Sequence, residues 1–142
     1  METLVYLVDS SVFLEALLKQ EKTNEVTKFI NLTSFDALFI TDLSLHSIAI
    51  ILFRHNKAEG FISFSNELIV GGITILSLTP SHFSEVKQAS EAFKLDFEDA
   101  YQYVIAKKHN LQIVSFDKDF NRTDIKKKEP SELIVVKKNE DD

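Results

Sequence analysis

Four aspartates in this sequence occupy positions from which carboxylates bind divalent cations. Asp9 directly follows the short apolar run Leu4 to Val8, and Asp117 and Asp119 follow a later run of the same kind. Asp99 lies in the first turn of a predicted helix. Carboxylates gathered within about 5 Å repel one another strongly unless a divalent cation is present, so their convergence would indicate a site for Mg or Mn. Such a site suits phosphodiester hydrolysis by metal-activated water.

Taken one at a time, these acids also have structural explanations. Asp9 precedes two serines and would interact favourably with the dipole of the helix that they open. The i and i+3 spacing of Asp96 and Asp99 resembles a capping box, which favours a capping role for Asp96 more than for Asp99. Asp117 and Asp119 could form a turn after a strand. The combination of the acids, rather than any single one, therefore indicates a metal site.

The elements that must position these acids are strands alternating with helices. Five apolar runs have the length of strands: Leu4 to Val8, Ala37 to Ile40, Ile73 to Leu78, Gln112 to Phe116 and Leu133 to Val136. Longer stretches with helical spacing separate them, and Leu43 to Phe53 is apolar nearly all round, which predicts a buried helix. This order predicts an α/β fold, a three-layer α/β/α sandwich around a mainly parallel sheet of about five strands. Because ligands bind where parallel strands end, Asp9, Asp99 and Asp117 are expected at one edge.

Composition narrows the chemistry and the setting. The 142 residues include no cysteine, which excludes disulfides, thiolate zinc sites and cysteine nucleophiles. A formal net charge of -6 argues against broad wrapping of nucleic acid but not against an acidic metal site. We expect one domain over residues 1–137 and a disordered tail over 138–142. No apolar run is long enough to span a membrane and METLVYLVD has no signal-peptide features, so we expect a cytoplasmic protein.

Three other classes of α/β protein fit the sequence less well. A phosphoacceptor receiver domain needs an aspartate at the end of its third strand, and ITILSLTP offers none. A phosphatase with an aspartate nucleophile needs a second aspartate two residues later, where Ser11 follows Asp9. Dinucleotide binding is disfavoured because no glycine-rich turn follows the first strand.

Four segments of the chain together resemble the PIN-domain family, which includes the toxins of VapBC toxin-antitoxin pairs. They are YLVDSSVFLEALL, FITDLSLHSIAIIL, LDFEDAYQYVIAKKHNLQIVSFDKDF and the closing ELIVV. The resemblance implies that Asp9, Asp99 and Asp117 are catalytic metal ligands, with Asp119 as an accessory metal-binding acid. It also implies a Mg- or Mn-dependent endoribonuclease acting on RNA, a small antitoxin partner that blocks the site, and a homodimer.

One position departs from the family pattern. The family usually carries a Glu on its third helix, and the corresponding residue here is Ser47, with His46 beside it. Either the remaining aspartates hold the metal with water, or Asp42 and His46 compensate from one helix face, with Asp96 as a further accessory acid. The third alternative is a PIN fold that has lost catalysis and binds protein or RNA. A lone helix histidine is more often an ordinary residue than a ligand.

Overall fold

The computed structural model describes residues 4–134, in which four short strands form one parallel sheet. The strands are β1 (Tyr6–Val8), β2 (Leu38–Thr41), β3 (Thr74–Leu76) and β4 (Gln112–Val114). Their order across the sheet is β3-β2-β1-β4, and every pair is parallel. The register pairs Val8 with Val114 and Thr41 with Leu76, so all four strands end at the same edge.

Helices cover both faces of the sheet, as the three-layer prediction required. Residues 4–134 contain α1 (Ser10–Leu17), α2 (Thr23–Leu32), α3 (Asp42–Arg54), α4 (Ala58–Gly71), α5 (Phe83–Phe93) and α6 (Phe97–His109). Successive strand residues point to opposite faces, so Val8 packs with α1 to α4 whereas Leu7 packs against α6. Helix α5 packs on the outer side of α6. Among the described residues, no helix combines the length and apolar character needed to cross a lipid bilayer.

The prediction of a fifth strand at Leu133 to Val136 is wrong where it can be compared with the structure. Residues 130–134 are helical, whereas 135 and 136, like the predicted tail 138–142, lie outside the described residues. Pro130 suits the first position of a helix, and the Glu132 carboxylate accepts the Glu129 N–H at 3.2 Å, as in a capping box. These local start signals outweigh the strand propensity of the apolar residues. Beyond β4 the sheet continues through an isolated parallel bridge from Val114 to Lys128.

The apolar segment Leu43 to Phe53 is helical as predicted, but it is not buried all round. Ile48 and Leu52 face the core on one side of α3, whereas Ile50 and Phe53 are 52% and 57% exposed. A helix packed on a sheet buries one stripe, so apolar residues on its outer side remain open to solvent. The all-apolar pattern therefore predicted the helix correctly and its burial incorrectly.

The topology creates a crevice beside β1 at the carboxyl edge of the sheet. After β1 the chain moves through β2 to β3 on one side, and it later returns to place β4 on the other side. Such a reversal of strand order between neighbouring strands is where open α/β sheets bind ligands. Helices α1 and α3 start within two residues of the ends of β1 and β2, so both begin at this edge. Their N-terminal N–H groups carry partial positive charge, which favours anions there.

Candidate metal centre

Three predicted site residues, Asp99, Asp117 and Asp119, converge at this edge. One carboxylate oxygen from each lies within 4.8 Å of the other two. Backbone hydrogen bonds fix their positions: the Asp96 carboxylate caps α6 by accepting the Asp99 N–H, and the Asp117 carboxylate accepts the Asp119 N–H, both at 2.9 Å. The second bond opens a 3-10 turn over Lys118–Arg122. The chain thus brings together an acid from a helix start and two from the loop after a strand.

Burial and the convergence of these acids disfavour the ionised form of Asp99 and raise its pKa. Asp99 is buried, with 6% of its surface exposed, and burial is the largest of the effects that raise its pKa to about 9. A hydrogen bond with Asp117, the charge of Asp117 and the charges of Asp96 and Asp9 raise the pKa further. Asp119 differs, because Arg122 pairs with its carboxylate at 3.1 Å on the more exposed side. In the absence of a cation these effects favour the protonated form of Asp99, whereas a divalent ion would favour its carboxylate form.

Asp9 lies beside this group with its carboxylate held by neutral donors. Gln102 Nε2 donates to Oδ1 at 2.8 Å, and the hydroxyls of Ser11 and Ser115 each donate to Oδ2 at 2.7 Å. Asp9 occupies the N-cap position of α1, yet its side chain caps none of the described helix N–H groups. The three acids within 4.8 Å do not include Asp9, although its charge contributes to the raised pKa of Asp99. The structure therefore places Asp9 next to the cluster and gives its carboxylate a role other than capping.

Gln102 is a site residue that the sequence analysis missed. Its side chain is fully buried on α6, and its amide nitrogen holds Asp9. Its Oε1 meets no hydrogen-bond donor in the part of the chain that the structure describes. Buried polar atoms are normally paired, so a water or the hydration shell of an ion is the expected partner. Together with three hard carboxylate donors, this fits Mg or Mn, which prefer oxygen ligands and retain water.

Glu98 is a second residue that the sequence analysis missed. Its Oε2 accepts a hydrogen bond from Ser47 Oγ at 3.1 Å, and its Oε1 accepts one from Ser10 Oγ at 3.4 Å. Burial raises the pKa of this half-buried carboxyl, Ser47 and Ser10 oppose the rise, and the charges of Asp9 and Asp96 add to it. The available signal was its place beside Asp99, but acids in the first turn of a helix are common for dipole reasons alone.

The other accessory candidates have separate surroundings. The Asp42 carboxylate accepts a hydrogen bond from Tyr101 Oη at 2.9 Å, and that oxygen accepts the Leu78 N–H at 2.7 Å, which ties α3 to α6 and to the segment after β3. His46 is exposed on α3. Asp96 acts as the N-cap of α6, as the sequence predicted. Among the described residues, none of these three belongs to the acids within 4.8 Å.

Solved structures with this fold include proteins of toxin-antitoxin systems. VapC20 of Mycobacterium tuberculosis, a toxin that cleaves the sarcin-ricin loop, has a TM-score of 0.71 and 15% identity, covering 88% of this chain and 99% of that one. PAE2754 of Pyrobaculum aerophilum has a TM-score of 0.67 and 20% identity over 96% of both chains. A toxin-antitoxin complex from Klebsiella pneumoniae has a TM-score of 0.63 and 14% identity, covering 81% of this chain and 89% of the other. At these identities the likeness shows a shared fold.

The sequence was also compared with curated proteins and with models of protein families. No curated protein matches the sequence significantly. The PIN domain family model matches residues 6–126, which include all four strands and the four aspartates of the predicted site. Because this match covers most of the chain, and because the fold and the acidic edge agree with it, the protein belongs to the PIN-domain family.

Proposed function

We propose that this protein is a metal-dependent endoribonuclease of the toxin-antitoxin type. The observation that carries the proposal is the convergence of Asp99, Asp117 and Asp119 at the carboxyl edge of the sheet. A cluster of acids that repel one another is costly in the metal-free protein and favourable once a divalent cation is bound. Membership of the PIN-domain family supports the same chemistry.

In this proposal Asp99 and Asp117 hold the cation, and Asp119 assists from the exposed side. Mg or Mn, when bound, offsets the charge of the phosphate and activates water for attack on phosphorus. Asp99 would hold the cation as a carboxylate, because ligands must be deprotonated. Three hydrogen bonds hold the Asp9 carboxylate in place, so it adds negative charge beside these ligands. Gln102 Oε1, which has no donor among the described residues, is available to accept a hydrogen bond from water around the cation.

A short single-stranded or looped RNA segment is the substrate that fits the surface charge. The net charge of -6 disfavours long contacts with a phosphate backbone, since such contacts depend on many basic residues. Bases in loops are accessible without opening a duplex. VapC20, which shares the fold, cleaves the sarcin-ricin loop, and this supports a looped target here.

The proposal includes a small antitoxin and a second copy of the chain as partners, acting in the cytoplasm where RNA is available. The toxin-antitoxin complex from Klebsiella pneumoniae supports the antitoxin. Exposed apolar side chains support the homodimer, because large apolar patches mark protein interfaces. On α3, α4 and the edge strand β3 they are Ile50, Phe53, Ile62, Ile69, Val70 and Ile75.

An RNA cleavage assay tests the catalytic proposal. Labelled single-stranded RNA is incubated with the protein in Mg, in Mn and in chelator, and the rate is compared between the parent, Asp99→Asn and Asp36→Asn. Asp36 is an exposed aspartate that precedes β2, so it controls for the chemical change. We expect cleavage that requires the metal and falls by more than about a hundredfold in Asp99→Asn, since even indirect supports of a metal site contribute up to that factor.

The same assay separates the enzyme from a binding module. Equal cleavage by Asp99→Asn and the parent would contradict the assigned site. RNA binding without cleavage in either metal would favour the alternative, a PIN-fold module that has lost catalysis.

A further inference from the structure

Glu98 places a further carboxylate at the acidic edge, outside the three acids that lie within 4.8 Å of one another, between the start of α1 and the second turn of α3. It is the second residue of α6 and immediately precedes Asp99. We propose that Glu98 is a ligand of the metal centre, supplying from α6 the carboxylate that α3 lacks at Ser47. This inference rests on the proposed function, since it concerns the same centre.

The hydrogen bonds of Glu98 hold it across the crevice. One carboxylate oxygen is 3.1 Å from the hydroxyl of Ser47 on α3, and the other is 3.4 Å from the hydroxyl of Ser10 at the start of α1. Ser10 directly follows Asp9, so the same turn that ends β1 carries both an acid of the rim and a donor to Glu98. The side chain is therefore held on the inner side of α6, towards the neighbouring helices.

A role in stabilising the helix dipole does not account for this orientation. Glu59 is also the second residue of its helix, α4, and it is exposed to solvent, where a dipole-stabilising acid is well hydrated. Glu98 is half-buried, and its carboxylate is turned towards Ser10 of α1 and Ser47 of α3. None of the salt bridges among the described residues involves Glu98. A cation shared with the other acids would supply the missing positive charge.

Gln102 provides an independent sign that a further group belongs here. Its fully buried amide lies against Asp9, one turn along α6 from Glu98 and Asp99, and its Oε1 has no donor among the residues described. A hydrated cation brings water molecules that donate hydrogen bonds to such an oxygen. The unpaired atom and the crowded acids thus point to the same occupant.

This geometry gives Ser47 a function despite its short side chain. Its hydroxyl lies on α3, where the family resemblance expects a glutamate, and it donates to the carboxylate of Glu98. In this proposal α6 supplies the carboxylate that the family pattern places on α3, and Ser47 orients it. Asp42, which is occupied by Tyr101, and the exposed His46 are then not needed as replacements.

Calorimetric titration of the whole chain with MnCl2 tests the inference without relying on catalysis. The proteins are the parent, Glu98→Gln, Asp99→Asn and the matched control Glu59→Gln, each checked for folding by circular dichroism. We expect Glu98→Gln to weaken Mn binding by about tenfold or more, as loss of groups that support a metal site does. Glu59→Gln should bind as the parent does.

The outcomes separate this inference from the proposed function. If the parent binds no Mn, or if Asp99→Asn binds it equally well, the proposed metal centre itself is wrong. If binding depends on Asp99 but Glu98→Gln binds like the parent, only the role of Glu98 is overturned. A double variant with Glu98→Gln and Ser47→Glu should recover Mn affinity, and a folded double variant that does not recover it would contradict a shared position for the two acids.

Discussion

Asp9 and Asp99 are both buried at the same edge of the sheet, yet the chain treats their charges in opposite ways. Asp9 accepts three hydrogen bonds from neutral side chains, on both of its carboxylate oxygens. Asp99 faces Asp117 instead, and its pKa is raised to about 9 by burial first and by that acid next. Neutral donors stabilise a carboxylate at any cation concentration, whereas an acid facing an acid needs a proton or a metal.

This difference separates scaffold from function within one site. The Asp9 side of the centre is preorganised and contributes to stability in the metal-free protein. The acids around Asp99 destabilise the fold as long as no cation is bound. Such destabilisation is expected at a site that is arranged for a ligand rather than for stability. Substitutions that remove one charge at a time should therefore change metal-free stability in opposite directions while both weaken metal binding.

The largest stability effect is expected from Asp9→Asn. Its carboxamide retains one acceptor oxygen, but its NH2 group then meets hydroxyls or the Gln102 amide where the carboxylate accepted hydrogen bonds. Loss of a buried hydrogen-bonded acceptor costs about 1–3 kcal/mol. Thermal unfolding in chelator should show a Tm lower by roughly 3–10 °C for a domain of this size. An unchanged Tm would mean that the three donors do not stabilise the metal-free fold.

A smaller effect of opposite sign is expected from Asp99→Asn. The substitution preserves the shape of the side chain and removes a carboxyl group whose ionised form burial and Asp117 disfavour. In chelator at pH 8 the Tm should rise by about 1–4 °C, as is common when a functional site is relieved of strain. Adding Mn should then raise the Tm of the parent but not of the variant, because ligand binding stabilises the state that binds it. A lower Tm in chelator would show that Asp99 contributes to the scaffold.

The sequence predicted the fold well where local patterns determine it. The alternation of apolar runs and helices predicted the four strands, their parallel pairing and the layers around them, and strand ends correctly suggested that Asp117 lies near Asp99. The fifth strand failed because the helix start at Pro130 outweighs the apolar pattern. The burial of α3 failed because periodicity does not show which face a neighbour covers.

The parts of the site that sequence reasoning missed depend on contacts between remote residues. Glu98 meets Ser47 across 51 residues, and Gln102 meets Asp9 across 93. In the sequence Glu98 looks like an ordinary first-turn acid and Gln102 like an ordinary helix residue. The directions of these two side chains depend on how α6 packs against α1, α3 and the sheet. The spacing of residues along one segment does not specify that packing. The roles of the aspartates as metal ligands stay predictions until metal binding is measured.

The smallest effect is the pH dependence of the Tm difference between Asp99→Asn and the parent. Because the pKa of Asp99 is higher in the folded chain than its usual 3.8, the folded state binds more protons than the unfolded state between about pH 4 and pH 9. Stability contributed by this group is therefore lost as the pH rises through that window. In chelator, the Tm advantage of Asp99→Asn over the parent should widen from pH 5 to pH 8. Subtracting the Tm of one protein from that of the other cancels the contributions of groups that titrate equally in both. A difference that is constant across this range would show that Asp99 is already ionised in the metal-free protein, and the contrast with Asp9 would then lose its electrostatic basis.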